Sequence, residues 1–127
     1  MNPDARPWRQ RLGRRARRRG RAAEWTAAAW LLVKGYQILG FRLKAAGAEI
    51  DLLARKGGVL ALVEVKQRAS RDAALEALGP DQRQRLMRAG QAIIRGRRSL
   101  QGLDLRLDVM AVVPGRWPRH FRNLDAG

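Results

Sequence analysis

The stretch EIDLLARKGGVLALVEVK, residues 49–66, decides the fold. Two runs rich in Ile, Leu and Val flank Gly57-Gly58, a pair suited to the positive φ that a two-residue hairpin turn requires. Strands are therefore predicted over Glu49–Arg55 and Val59–Lys66. Counting outward from the turn sets Lys56 against Val59, Asp51 against Glu64 and Glu49 against Lys66. Side chains alternate along a strand, so Glu49, Asp51, Glu64 and Lys66 share a face with Leu53 and Leu62, while Ile50, Leu52, Ala54, Val59, Ala61, Val63 and Val65 take the other. Directly opposed like charges have Cβ atoms about 5 Å apart and destabilise the pair by up to roughly 1 kcal/mol, more when desolvated. A divalent cation that prefers oxygen, Mg²⁺ or Mn²⁺, compensates Asp51 and Glu64 and makes them candidate metal ligands. Lys66 could then orient or deprotonate an attacking water and offset charge on an attacked phosphate. The competing reading is a surface ladder of ion pairs, Glu49 with Lys66 and Asp51 with a neighbouring Arg. Both strands are apolar on both faces, which favours a concavity over an exposed edge hairpin.

Outward from the hairpin the periodicity changes. Upstream, AAEWTAAAWLLVK lacks Gly and Pro and ends at Gly35, which predicts a helix from Arg21 to Lys34 closed by a left-handed cap. A strand over Tyr36–Leu43 and a small-residue turn over 45–48 connect it to the hairpin. Downstream, after a loop near 69–71, Pro80 and Asp81 open a helix over 81–95 with Leu86, Ala89 and Ile93 on one stripe. Leu105, Leu107, Val109, Ala111 and Val113 alternate as a further strand, and Arg119–Leu124 reads as a short last one. The order is that of an α/β domain, a mixed central sheet flanked by helices, and 127 residues suit one such domain.

Charge narrows the partners. There are 27 Lys plus Arg against 11 Asp plus Glu, a formal +16, a balance that calls for a polyanion. Residues 1–22 hold nine Arg and one Asp, half of that net charge, so residues 1–20 are expected to form a mobile basic tail that adds affinity without specificity, with the domain over 21–127. Arg14, Arg15, Arg17, Arg18 and Arg19 of the tail, and Arg83 and Arg88 of the second helix, are candidate phosphate contacts; for the helical pair a solvated face fits equally. The absence of Cys excludes disulfide scaffolds, thiolate metal sites and iron–sulfur centres. His120 is the sole imidazole and reads as a surface residue with no catalytic role. No apolar run approaches the roughly 20 residues of a membrane span, and the Arg-rich start lacks the small-residue cleavage site of a secretory signal, so a cytoplasmic protein without a membrane partner is expected.

The residues also carry a resemblance. Asp51 followed by Glu64-Val65-Lys66 on the next strand resembles the D…(D/E)-x-K core of restriction-endonuclease-like nucleases, a superfamily that includes Holliday-junction resolvases. With GRAAE at 20–24, KGYQIL at 34–39, EIDLLA at 49–54, VEVKQR at 63–68 and RLDV at 106–109, residues 20–124 look like the YraN family of small bacterial predicted nucleases. That resemblance implies a restriction-endonuclease-like core, Asp51 and Glu64 as ligands of Mg²⁺ or Mn²⁺, Lys66 as the catalytic lysine and Glu24 as a further acidic catalytic residue. It also implies cleavage of phosphodiester bonds in nucleic acid, DNA ahead of RNA, with branched or structured DNA among the substrates; a homodimer would bring two sites to two strands. Spacing alone leaves Glu24 equally readable as an exposed or helix-capping residue. The alternative function is a non-catalytic nucleic-acid-binding accessory of repair or recombination.

Overall fold

Helix α1 occupies residues 21–33 and ends as its sequence dictates. Gly35 sits at φ 92°, and the Tyr36 N–H donates to the Leu31 carbonyl at 2.9 Å while the Gly35 N–H donates to Leu32 at 3.0 Å, the paired bonds of a Schellman cap. The computed structural model describes residues 21–67, 72 and 78–123. The expected basic tail over 1–20 and the loop near 69–71 lie outside the described residues.

Five strands follow: β1 (Gln37–Ala45), β2 (Ala48–Lys56), β3 (Val59–Lys66), β4 (Asp104–Ala111) and β5 (Arg119–Phe121), with helix α2 (Pro80–Gly96) between β3 and β4. They form one sheet in the order β1-β2-β3-β4-β5. It is mixed as expected, because β3 and β4 run parallel across the α2 crossover while the other neighbours are antiparallel. Two hairpin turns set the register. Lys56 pairs with Val59 across Gly57-Gly58, with only Gly57 at positive φ (57°), the pattern of a type II′ turn. Ala45 pairs with Ala48 across Ala46-Gly47, both at positive φ.

Among the described residues, α1 covers one face of the sheet and α2 the other. Ala27, Ala28 and Leu31 of α1 pack on Leu52, Ala54, Ala61, Val63 and Met110. Leu86 and Ala89 of α2 pack on Leu53, Leu60, Leu62, Leu107 and Val109. Ile50 departs from the expected alternation, because it joins the α2 side rather than sitting with Leu52. The cause lies in the β1–β2 ladder. The row Phe41↔Leu52 packs under α1 but the row Leu43↔Ile50 packs under α2, and between them stands Arg42 at φ 48° opposite Asp51. A left-handed residue inside a strand breaks the two-residue period, so both strands change face at this level.

Gly90 fixes the spacing between α2 and the sheet. A Cβ there would lie 2.8 Å from Leu105 Cδ1 and 2.9 Å from Leu62 Cδ1. Gly90→Val is therefore expected to lower stability by about 2–3 kcal/mol through overpacking, measured by urea denaturation; an unchanged midpoint would show that the helix shifts freely. Among the described residues no helix is long and apolar enough to cross a membrane.

Candidate active site

The β2–β3 ladder runs from the turn to Leu52↔Val63 and stops. One residue beyond, the Asp51 carboxylate takes the place of the backbone: its Oδ2 accepts the Val65 N–H at 2.9 Å. β3 meanwhile stays paired on its other edge, with Glu64 beside Val109 and Lys66 beside Ala111 of β4. The two strands thus part at the acidic residues, and Asp51 and Glu64 are not opposed through a continuous ladder as the turn count suggested. Their carboxyl groups still act on each other, since the charge of Asp51 is among the main causes that raise Glu64.

Burial gives that coupling its chemistry. Glu64 is 4% exposed, and its Oε1 has no hydrogen-bond partner among the described residues. Desolvation, followed by the negative charge of Asp51, pushes the Glu64 carboxyl up to about 8 against the opposing charge of Lys66. Burial likewise raises Asp51, although the Val65 N–H and Lys66 favour its ionised form. The pair therefore keeps one proton between its carboxyls at neutral pH. An inward-facing carboxylate oxygen without a partner, beside a second carboxyl in a desolvated niche, fits a hard divalent cation. No group of three or more candidate ligands assembles among the described residues, so a cation here would take two protein ligands and complete its shell from water and phosphate oxygens.

Glu24 is not an exposed residue. It is 8% exposed on α1, and its Oε2 pairs with Arg42 Nη1 at 2.6 Å. Burial raises its carboxyl, Arg42 opposes this, and the charges of Asp51 and Glu49 add to the rise, which sets Glu24 in the electrostatic surroundings of the pair. Lys66 ends β3, half-buried, and its charge acts on both carboxyls. Arg83 and Arg88 ride on α2, across the sheet from Glu24; Arg83 Nε donates to the Leu78 carbonyl at 3.2 Å, and Arg88 is exposed. Arg14, Arg15, Arg17, Arg18 and Arg19 lie outside the described residues.

Residues 23–112 match the uncharacterised protein family UPF0102. The chain belongs to the UPF0102 family. The UPF0102 protein of Caulobacter sp. (strain K31) is 52% identical over 123 residues, covering 97% of this chain and 88% of its own length. The Maricaulis maris relative is 52% identical over 112 residues, 88% of each chain, and that of Agrobacterium fabrum 46% over 108 residues, 85% of this chain and 88% of its own.

In this UPF0102 chain a second polar cluster escaped the sequence reading. Asp108 is fully buried, and its carboxylate accepts from Arg106 Nε and Nη2 at 2.8 Å each, from His120 Nε2 at 2.8 Å and from the Asn123 N–H at 2.9 Å. Desolvation pushes Asp108 up, but the bonds from His120, Arg106 and Asn123 outweigh it and hold the carboxyl below its ordinary range. His120, read as a surface residue, is thereby corrected: its side chain is 2% exposed. The available signal was the strand alternation itself. Arg106 and Asp108 occupy the positions between the apolar ones of β4, and a strand inside a sheet covered on both faces buries those positions too.

Proposed function

We propose that this UPF0102 chain is a metal-dependent endonuclease of restriction-endonuclease-like fold that hydrolyses phosphodiester bonds in DNA. The observation that carries the reading is the Asp51–Glu64 pair, two electrostatically coupled carboxyls at the point where β2 and β3 part, one of them buried with an oxygen that has no partner among the described residues. Two carboxylates in such surroundings are costly without a counter-charge. Asp51 and Glu64 would hold Mg²⁺ or Mn²⁺, which when bound supplies Lewis-acid polarisation of a phosphodiester oxygen. The chain's own residues do the rest. Lys66 orients a water for attack at phosphorus and offsets the negative charge that grows on the phosphoryl oxygens as the P–O ester bond breaks. Glu24, held by Arg42, shapes the field at the pair rather than adding a third ligand. The formal charge of +16 draws the polyanion in and holds it.

A non-catalytic nucleic-acid-binding accessory is the second reading, favoured by that charge, which alone suffices for binding. One assay separates them: branched, duplex and single-stranded DNA and RNA are incubated with the full chain, with and without Mg²⁺ or Mn²⁺. The nuclease reading expects cleavage that needs the cation and disappears in Asp51→Asn. A wild-type chain that binds every substrate and cuts none leaves the binding module.

A further inference from the structure

Among the described residues, cations outnumber acids at the end of α1 away from Glu24. The Asp108 carboxylate has its acceptor positions filled by Arg106, His120 and the Asn123 N–H, so it neutralises Arg106 and can take no more. Lys34 Nζ donates to His120 Nδ1 at 2.5 Å, which leaves Nε2 as the nitrogen whose proton goes to Asp108. Lys34 therefore rests against an imidazole ring rather than a carboxylate. The charges of Arg122, Lys56 and Arg106 also reach Lys34, and of the groups acting most strongly on it only Asp108 is acidic. Lys34 shows the consequence, because burial and then the charge of Arg122 push its ammonium below the ordinary lysine range.

Arg122 of this group borders a hollow. Arg106, His120, Phe121, Arg122 and Asn123 line an open concavity of about 530 Å³. The wall is stiff: Arg106 Nη2 also donates to the Tyr36 hydroxyl at 2.5 Å, the Tyr36 ring meets His120 edge-on at 5.8 Å, and Lys56 Nζ donates to the Lys34 carbonyl at 2.7 Å. Arg122 is exposed at the rim. We propose that this concavity is a second binding site, for a phosphate group of the nucleic-acid backbone, with the Arg122 guanidinium as its direct ligand and Lys34 as the supporting charge. Concave, pre-formed and short of negative charge, it offers what a phosphate needs. The identity of the ligand rests on the nuclease reading. Glu64, Val109 and Phe121 stand in one row across β3, β4 and β5, so about two strand spacings, roughly 10 Å, separate the carboxyl pair from the wall of this concavity along the sheet.

The sole histidine of the chain is the reporter, since its imidazole resonances monitor this site and not the tail. Inorganic phosphate is titrated into the full chain at constant ionic strength, with chloride as the balancing anion, and His120 is followed by NMR. A saturable shift is expected, its apparent Kd weakened about tenfold in Arg122→Ala and largely restored in Arg122→Lys. A shift no larger than chloride produces, or one that saturates identically in Arg122→Ala, overturns the site. A short DNA duplex in EDTA should move the same resonances in an Arg122-dependent way; a response to anionic phospholipid vesicles with none to the duplex overturns the assignment to nucleic acid. Cleavage is scored separately on the same proteins. A phosphate and duplex response without cleavage sustains this site and removes the nuclease reading, whereas cleavage without the response removes this site alone.

Discussion

Lys66→Ala is expected to reduce metal-dependent cleavage by about two to three orders of magnitude at saturating DNA while leaving DNA affinity within a few fold. The asymmetry follows from what each quantity averages over. Binding sums phosphate contacts over a chain with 27 Lys and Arg, so the loss of one cation changes the salt slope by about one unit at most. Turnover depends on the groups at one phosphorus atom, and Lys66 is the cation whose charge acts on both Asp51 and Glu64. Lys66→Arg should restore affinity but little of the rate, because a planar guanidinium does not occupy the position of a compact ammonium. Single-turnover rates with anisotropy titrations of the same variants check this. A parallel loss of rate and affinity would instead make Lys66 a substrate anchor.

The parts of this molecule that were legible beforehand are those set by neighbours in sequence. Gly57 and Gly35 are positions where backbone geometry needs glycine, and they fixed the hairpin register and the end of α1. Leu86 and Ala89 marked the buried stripe of α2 for the same local reason. What was not legible depends on strands remote in sequence. The switch of face at Arg42 and Asp51 needs the twist of a β1–β2 pair that no single strand announces, and it moved Ile50 to the other core. It also brings Arg42 to Glu24, a partner eighteen positions away that spacing along α1 could not reveal. His120 looked exposed because it sits beside Arg119 and Arg122; it is buried because β5 pairs with β4 and turns it onto Asp108. The pairing of Asp51 and Glu64 was foreseen, but its form was not, since the strands part and a carboxylate takes the backbone N–H of Val65.

Glu64→Gln should make the metal-free protein more stable at pH 8 and leave it nearly unchanged at pH 5, while abolishing stabilisation by Mn²⁺. In the folded chain Glu64 keeps its proton to about 8, against an ordinary value of 4.5. Between those limits the native state holds a proton that the unfolded chain has released, so the stability linked to this group is complete below about pH 4.5, falls as pH rises through the window and is gone above about 8. Each tenfold displacement of the proton equilibrium is worth about 1.4 kcal/mol, and if only half of the rise survives coupling to Asp51 the gain of Glu64→Gln at pH 8 is on the order of 2 kcal/mol. For a domain of this size that is a melting temperature roughly 5 to 10 °C higher. Asp51→Asn should share the direction, because an amide oxygen can still accept the Val65 N–H and the fold is kept. A cation must displace the same proton, so Mn²⁺ affinity of the wild type should fall about tenfold for each pH unit below 8, with a proton released on binding. Thermal melts of both variants at pH 5 and 8, with and without Mn²⁺, carry the decision. A Glu64→Gln chain that is less stable than wild type at pH 8, or that Mn²⁺ still stabilises as strongly, would show that the buried carboxyl is a structural hydrogen-bonding group and that the cation binds elsewhere.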